Sequence, residues 1–333
     1  MKVLVSGAGG FLGRHVVDRL CERGHDVRAI IRPGSQEPPW RGRVEVLRAD
    51  LRVCDDLVSS FDGVDAVIHL AAATSGSEDV QFASTVVGTE RFLEAMTKSS
   101  VKRLVHVSSL VVYDWRRAKT IMDEETPLLG NPYDMGAYTI AKIWQERIVW
   151  RASQSNSWNL TTVRPGFIWG ARHTQIAGMG RRLGKIYIMF GPFTRLPLCH
   201  VKNCADFLVT AAEMSESADT TFNLIDGDQI RVWRYVIEHA RRSGGMVVPV
   251  PYRMGLGIAY LASLTSRILF GKKGKLPSLV TPRRFESQFK PIRFSNRKVT
   301  KVLKWVPPFD FDECLRLSFP STRKAGVPPG TND

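Results

Sequence analysis

The chain has 333 residues, 44% of them hydrophobic, and a formal net charge of +15. That length supports one large domain or two small ones around a real core, and no internal repeat or low-complexity tract points to a solenoid or a disordered chain. The five cysteines (Cys21, Cys54, Cys199, Cys204, Cys314) are scattered, with no Cys-x-x-Cys pair, which excludes a zinc ribbon and a disulfide framework. No metal site is expected. Reduced thiols imply a cytoplasmic protein, and a strand that opens at Lys2 leaves no room for a signal peptide.

In chain order, Lys2–Ser6 reads as a short buried strand. It runs into Gly7-Ala8-Gly9-Gly10-Phe11-Leu12-Gly13 and then a helical period from Arg14 to Leu20. Strand, glycine turn and helix in that order is the context of a dinucleotide site. Gly7, Gly10 and Gly13 permit the turn and the close approach of backbone to a pyrophosphate. The helix start at Phe11 and Leu12 offers free N–H groups and a positive dipole end. The second strand, Val27–Ile31, ends without the acidic residue that binds ribose hydroxyls in NAD sites, and Arg28 and Arg32 flank it instead. Arg32 suits a 2′-phosphate through a charge-assisted contact, so NADP is favoured over NAD.

Further strands are expected at Val44–Arg48, Ala66–Leu70, Arg103–Ser108, Thr161–Arg164 and Thr221–Ile225, with helices at Val80–Thr97 and Gly136–Arg151. This alternation predicts an α/β fold, a doubly wound parallel Rossmann sheet. Residues 1–170 and about 200–228 would form it, interleaved with a smaller substrate lobe from 171–199 and 229–333.

Tyr138 and Lys142 lie four residues apart within the second of those helices. Residues at that spacing share one face, with Cβ atoms about 5–6 Å apart. A free tyrosine titrates near pH 10. A unit charge about 4 Å away at an effective dielectric near 20 is worth about 4 kcal/mol, enough to bring the phenol toward neutral pH. Tyr138 is therefore a candidate proton donor or acceptor, with Lys142 lowering its pKa.

The glycine spacing near the start and Tyr-x-x-x-Lys near residue 140 together resemble the extended short-chain dehydrogenase/reductase superfamily. This is the group of NAD-dependent epimerases and dehydratases with 3β-hydroxysteroid dehydrogenase-like members. The resemblance covers most of the chain. It implies that Ser109, counted back from Tyr113 in Ser108-Ser109-Leu110-Val111-Val112-Tyr113, is the catalytic serine beside Tyr138 and Lys142. It also places Asp50 and Leu51 at the adenine, Leu70, Ala71 and Ala72 along the cofactor, and Pro165 beside the nicotinamide. Lys142 would hold the nicotinamide ribose as well. Trp169 replaces the tyrosine of the Arg-Pro-x-x-x-Tyr-Gly segment. Leu110 and Val111 stand where dehydratases carry Asp-Glu, which counts against a 4,6-dehydratase. Thr85 replaces the Asn of Asn-x-x-Gly-Thr, which puts a local hydrogen bond in doubt. Family members often dimerise through the helices after the fourth and fifth strands.

The second half is strongly basic: from Gly271 to Lys304 there are eleven Lys/Arg and one acid, Glu286. Such a lobe suits a nucleotide-sugar diphosphate, with Arg182, Lys185 and Arg195 as candidate contacts, or an anionic membrane surface; nucleic acid is the less favoured partner. Just upstream, Met254–Ser266 is a thirteen-residue stretch without charge. That is too short to span a bilayer and reads as a core helix of the lobe or an interfacial one beside Lys272, Lys273 and Lys275. The expected activity is hydride transfer at a secondary alcohol or ketone, most simply of a nucleotide sugar. The alternative is a sterol or other hydrophobic alcohol, held by Ile186–Phe190 and Phe193. A redox-inactive dinucleotide-binding protein is a third reading, disfavoured because Ser109, Tyr138 and Lys142 are all retained.

Overall fold

The apolar runs of the first half become β1 (Lys2–Ser6), β2 (Asp26–Ile31), β3 (Val44–Arg48), β4 (Ala66–His69), β5 (Arg103–Val107), a short β6 (Ile121–Met122) and β7 (Asn159–Pro165). Between them lie α1 (Phe11–Glu22), α2 (Glu78–Phe82), α3 (Gly88–Thr97) and α4 (Ala137–Asn156). The second half adds β8 (Phe167–Trp169), β9 (Arg181–Leu183), β10 (Ile186–Phe190), β11 (Leu198–His200), α5 (Val201–Glu213), β12 (Thr220–Leu224), α6 (Val232–Ser243) and β13 (Met246–Val250). It ends with α7 (Tyr252–Phe270), α8 (Pro282–Phe289), β14 (Arg293–Phe294), α9 (Arg297–Leu303) and α10 (Phe311–Ser318). The structure, a computed structural model, describes residues 1–40, 42–53, 56–227, 229–270 and 281–319. The Lys272, Lys273 and Lys275 cluster lies outside the described residues.

The main sheet has seven parallel strands in the order β12-β7-β5-β4-β1-β2-β3. The order reverses at β1, as in doubly wound sheets that bind ligands at the carboxyl ends of the strands. Strand alternation feeds two layers: Val3 and Val5 pack with Val16 and Leu20 of α1 and Phe207 of α5, while Leu4 packs with Phe92 and Met96 of α3 and Val149 of α4. Helix α9 and Trp305 also join the α1–α5 layer, and Trp305 Nε1 donates to Asp206 Oδ2 at 2.7 Å.

Lys2–Ser6 and Val44–Arg48 coincide with the expected strands, and the others differ by one or two residues at their ends. The expected helix Val80–Thr97 is broken: a π-helical turn at Ala83–Val87 separates α2 from α3. Threonines satisfy the widened turn. Thr85 Oγ1 accepts from the Ala73 N–H at 3.0 Å and Thr89 Oγ1 donates to the Thr85 carbonyl at 2.6 Å. Thr85 thus makes a local hydrogen bond of its own where the motif's Asn is missing.

The remaining elements form small sheets: β13-β10-β9, β11-β8 and β14-β6. Tyr187 and Met189 of β10 pack on Tyr235 and Val236 of α6. α7 and α8 pack through Ala259, Phe285 and Phe289. No helix among the described residues is long and apolar enough to cross a membrane.

Candidate dinucleotide and active site

A cleft of about 870 Å³ opens at the carboxyl ends of β1, β2, β4, β5 and β7. Gly7, Gly10, Phe11, Leu12, Gly13, Arg32, Asp50, Leu51, Leu70, Ala71, Ala72, Ser109, Tyr138, Lys142 and Pro165 all line it.

The glycines are there for space. Gly7 has φ +70°, and a Cβ on it would lie 2.9 Å from Ala71 N. A Cβ on Gly13 would lie 2.2 Å from the Gly7 carbonyl oxygen, so the first turn of α1 sits directly on the loop. No side chain caps α1 at Gly10, which leaves its first-turn N–H groups to meet an anion from the cleft. The site therefore fits a dinucleotide pyrophosphate: narrow, glycine-walled and lined by N–H donors. Phe11 closes one side, its ring stacked on His173 with centroids 3.9 Å apart.

At the far end Asp50 is ion-paired with Arg52 at 2.6 Å, and this arginine, with Arg32 adding to it, holds the carboxyl down at about 2. Arg32 is exposed on the cleft rim. Arg28 is not on the rim. It is buried, pairs with Glu45 at 2.9 Å and donates to the carbonyls of Ser60 (2.8 Å) and Asp62 (3.0 Å).

At the other end Ser109 starts a 3₁₀ turn, its Oγ accepting from the Val111 N–H at 3.4 Å. Tyr138 stands in the first turn of α4, half-buried, with Lys142 one turn on. Burial pushes the phenol pKa up, and a hydrogen bond from Ser109 partly offsets this. The expected lowering of Tyr138 by Lys142 is not observed. The ammonium donates instead to the Val107 carbonyl at 2.6 Å and to Gln145 Oε1, and burial brings Lys142 itself down to about 7. For both groups desolvation is the dominant cause, opposed at Tyr138 by Ser109 and at Lys142 by the Glu146 carboxylate.

Gln145 was not visible as a site residue in the sequence. Its amide nitrogen donates to Thr89 Oγ1 and to the Ala71 carbonyl, both at 2.9 Å. Because the Thr89 hydroxyl proton goes to the Thr85 carbonyl, His69 Nε2 must donate to Thr89 Oγ1 (2.9 Å). His69 Nδ1 then accepts from the Ser6 hydroxyl (2.7 Å); the tautomer is assigned from this network. His69 is buried and held down at about 3, chiefly by desolvation. A continuous polar chain thus joins the end of β1 to Lys142. Behind it Arg164 holds Glu146 through two hydrogen bonds, at 3.1 and 2.5 Å, and donates to Tyr113 OH at 2.7 Å, which donates to Asn223 Oδ1 at 2.7 Å.

Beyond Ser109 and Tyr138 the wall is Val80, Leu110, Val111, Trp115, Met135, Phe167 and Ile176, joined by Arg284, Ser287 and Gln288 from α8. Apart from Leu110 and Val111, nothing in the sequence pattern distinguished these residues. Arg182, Lys185 and Arg195 do not line this cleft: Arg182 stacks over Tyr187 at 5.0 Å, and Arg195 borders a separate cavity with Phe193 and Arg293. Ile186–Phe190 also lies outside it. Tyr187 and Met189 are core residues of the lobe, and Phe193 is 74% exposed. Trp169 is buried with His200, Tyr235 and Phe311 rather than facing the cleft.

The parallel sheet, the glycine-walled cleft and the Ser109–Tyr138–Lys142 corner define a Rossmann-fold enzyme of the extended short-chain dehydrogenase/reductase type, an oxidoreductase or epimerase. Residues 3–224 match the NAD dependent epimerase/dehydratase family, and the chain belongs to that NAD-dependent family. It is 30% identical over 280 residues to a 4-hydroxy-2-methyl-3-oxo-4-farnesyl-3,4-dihydroquinoline-1-oxide ketoreductase of Stigmatella aurantiaca, covering 81% of this chain and 82% of that one. It is 28% identical over 345 residues to the decarboxylating sterol-4-alpha-carboxylate 3-dehydrogenase of Mus musculus, covering 96% and 90%. Among solved structures, UDP-glucuronic acid 4-epimerase from Bacillus cereus in complex with NAD shares the fold, with a TM-score of 0.71 at 18% identity over 96% of this chain and 97% of that one.

Proposed function

We propose that the chain is a dehydrogenase or ketoreductase acting on a secondary alcohol or ketone of an apolar, sterol- or isoprenoid-like substrate. The observation that carries this reading is the substrate wall. It is made of Trp115, Met135, Phe167, Ile176 and neighbouring aliphatic residues, and beyond the Ser109–Tyr138–Lys142 corner Arg284 is the one Lys or Arg among the described residues that lines it. Arg284 already donates to the Met135 carbonyl at 2.8 Å. The basic residues suited to a sugar-nucleotide diphosphate lie elsewhere. The two relatives are named for a farnesyl-bearing dihydroquinoline oxide and a sterol carboxylate, which fits a substrate with an isoprenoid or sterol body.

The nicotinamide dinucleotide supplies or accepts hydride. The protein's part is to bind and to move a proton. Ser109 donates a hydrogen bond to the substrate oxygen. Tyr138 delivers or removes the proton. Lys142 holds the nicotinamide ribose and provides positive charge near the phenol. Leu110 and Val111 offer no carboxyl group, so water is not expelled. Arg32 at the rim favours NADP over NAD. Pairing of two copies across α2–α3 and α4, where Phe82 is 39% and Trp150 61% exposed, belongs to the same reading.

The test is turnover. Purified protein with NADPH or NADH is offered ketosteroids and, separately, UDP-sugars. Dinucleotide oxidation with a ketosteroid and no conversion of UDP-sugars is expected; UDP-sugar turnover with inert steroids overturns the proposal. For the cofactor, Arg32→Asp should lower NADP affinity by about tenfold or more, the loss of one charge-assisted contact, and an unchanged affinity removes Arg32 from that role.

A further inference from the structure

The exposed side of α7 carries Met254, Ile258, Leu261, Leu264, Ile268 and Leu269, each more than half exposed, with Leu261 at 62% and Ile268 and Leu269 at 72%. At about 100° per residue these positions share one arc of the helix. Gly255 and Ala259 occupy the opposite side, against Phe285 and Phe190. Single exposed apolar side chains are ordinary, but a contiguous band marks a contact surface.

A second apolar row lies on the small sheet. Ile186 and Ile188 of β10 pair with Met246 and Val248 of β13, so all four side chains share one face. Met246 is 60% and Val248 38% exposed. Phe190, the next residue in that row, packs on Phe285 and Phe289 of α8 and lies against Gly255 of α7. The sheet therefore adjoins α7 on its inner side and adds a second exposed apolar row beside the helix.

We propose that this surface docks on an anionic lipid bilayer. Charge complementarity selects that occupant. From Ser243 to Lys304 the only acid is Glu286, and it is engaged by Arg116 at 3.1 Å. Arg253, exposed on α7, and Arg181, exposed on the sheet edge, border the surface. An amphipathic helix with an apolar face and basic flanks lies in the membrane interface rather than across it. A second copy of the chain suits the face less well, because a two-fold contact would set the same cations against each other. α8, packed beneath α7, contributes Arg284, Ser287 and Gln288 to the cleft, so the docked face adjoins the substrate end.

Vesicle flotation of the full chain tests this without reference to turnover. Vesicles of phosphatidylcholine with 30% phosphatidylglycerol should carry the protein up the gradient, pure phosphatidylcholine vesicles should not, and added salt should weaken the binding. The triple variant Ile258→Ser/Leu261→Ser/Ile268→Ser should lose at least tenfold in vesicle binding while keeping its circular dichroism and dinucleotide affinity. Absence of flotation with anionic vesicles overturns the proposal, as does a triple variant that still binds like the parent chain. If sedimentation velocity shows self-association that the triple variant abolishes, with no vesicle binding, the face is a contact between copies and the lipid proposal falls. Steroid turnover can fail with flotation intact, so the two readings fail separately.

Discussion

The Lys142 ammonium and the Gln145 amide oxygen, one turn apart on α4, are hydrogen-bonded to each other, and the other end of that amide is fixed by Thr89 and the Ala71 carbonyl. Lys142 is thus anchored to the loop after β4 through a side chain that has one usable orientation. A hydrogen bond to a charged group is worth about 1.5–3 kcal/mol, or about one to two pKa units. Gln145→Leu should therefore lower the Lys142 pKa further and move the alkaline limb of kcat to lower pH. Gln145→Glu should move it to higher pH. A limb that stays in place in both variants shows that Gln145 only packs.

Lys142 also gives the fold a pH dependence. Its folded pKa, about 7, lies below the ordinary lysine value of 10.5. Between those values the unfolded chain holds a proton that the folded chain has released, so stability rises with pH across that window. At about 1.4 kcal/mol per pKa unit the rise amounts to a few kcal/mol. Denaturant titrations of the cofactor-free protein from pH 6 to pH 10 should show it, and Lys142→Met should flatten the curve. An equal slope in both proteins contradicts the assignment.

Tyr138→Phe should reduce kcat by about 10²–10⁴-fold, the usual range for general acid–base catalysis, while dinucleotide affinity stays within about threefold. Ser109→Ala should also lower kcat and should bring the Tyr138 pKa still higher, because it removes the one interaction that opposes burial there. Pre-steady-state hydride transfer read by NADPH fluorescence separates the two effects. A Tyr138→Phe protein with full activity would remove the phenol from the reaction.

Gly13→Ala places a methyl group where the Gly7 carbonyl already stands at 2.2 Å. Neither atom belongs to a side chain that can rotate away, so a loss of about 1–3 kcal/mol in stability and a collapse of dinucleotide binding are expected. Gly130→Ala, with no heavy atom within 4 Å, is the control and should be neutral within about 0.5 kcal/mol. Differential scanning fluorimetry with and without NADPH reads both.

The cofactor end of the site was legible in the sequence because steric need fixes residue type: only glycine fits at 7 and 13, and a helix places Tyr138 and Lys142 on one face. Strand alternation revealed the sheet for a similar reason. The substrate end was not legible. Trp115, Phe167, Ile176 and Arg284 come from distant loops, a short strand and a helix with no shared period. Basic residues such as Arg182 and Lys185 read the same whether they face a cleft or water. The direction of the Tyr138 shift was missed because charge proximity shows in helical spacing, whereas desolvation depends on what packs around α4. The π-helical turn at Ala83–Val87 leaves the apolar pattern unchanged, so only hydrogen bonding revealed it.

Gly7 and Ala71, sixty-four positions apart in the chain, have backbones so close that a single methyl group would not pass between them. A dinucleotide seated there rests on the ends of β1, β2 and β4 at once and is lost when any of them parts. Ligand at a hundred times its dissociation constant adds about 2.7 kcal/mol to folding stability. A coenzyme bound there would clasp the sheet as well as react, and resistance of this protein to proteases is expected to rise with free dinucleotide.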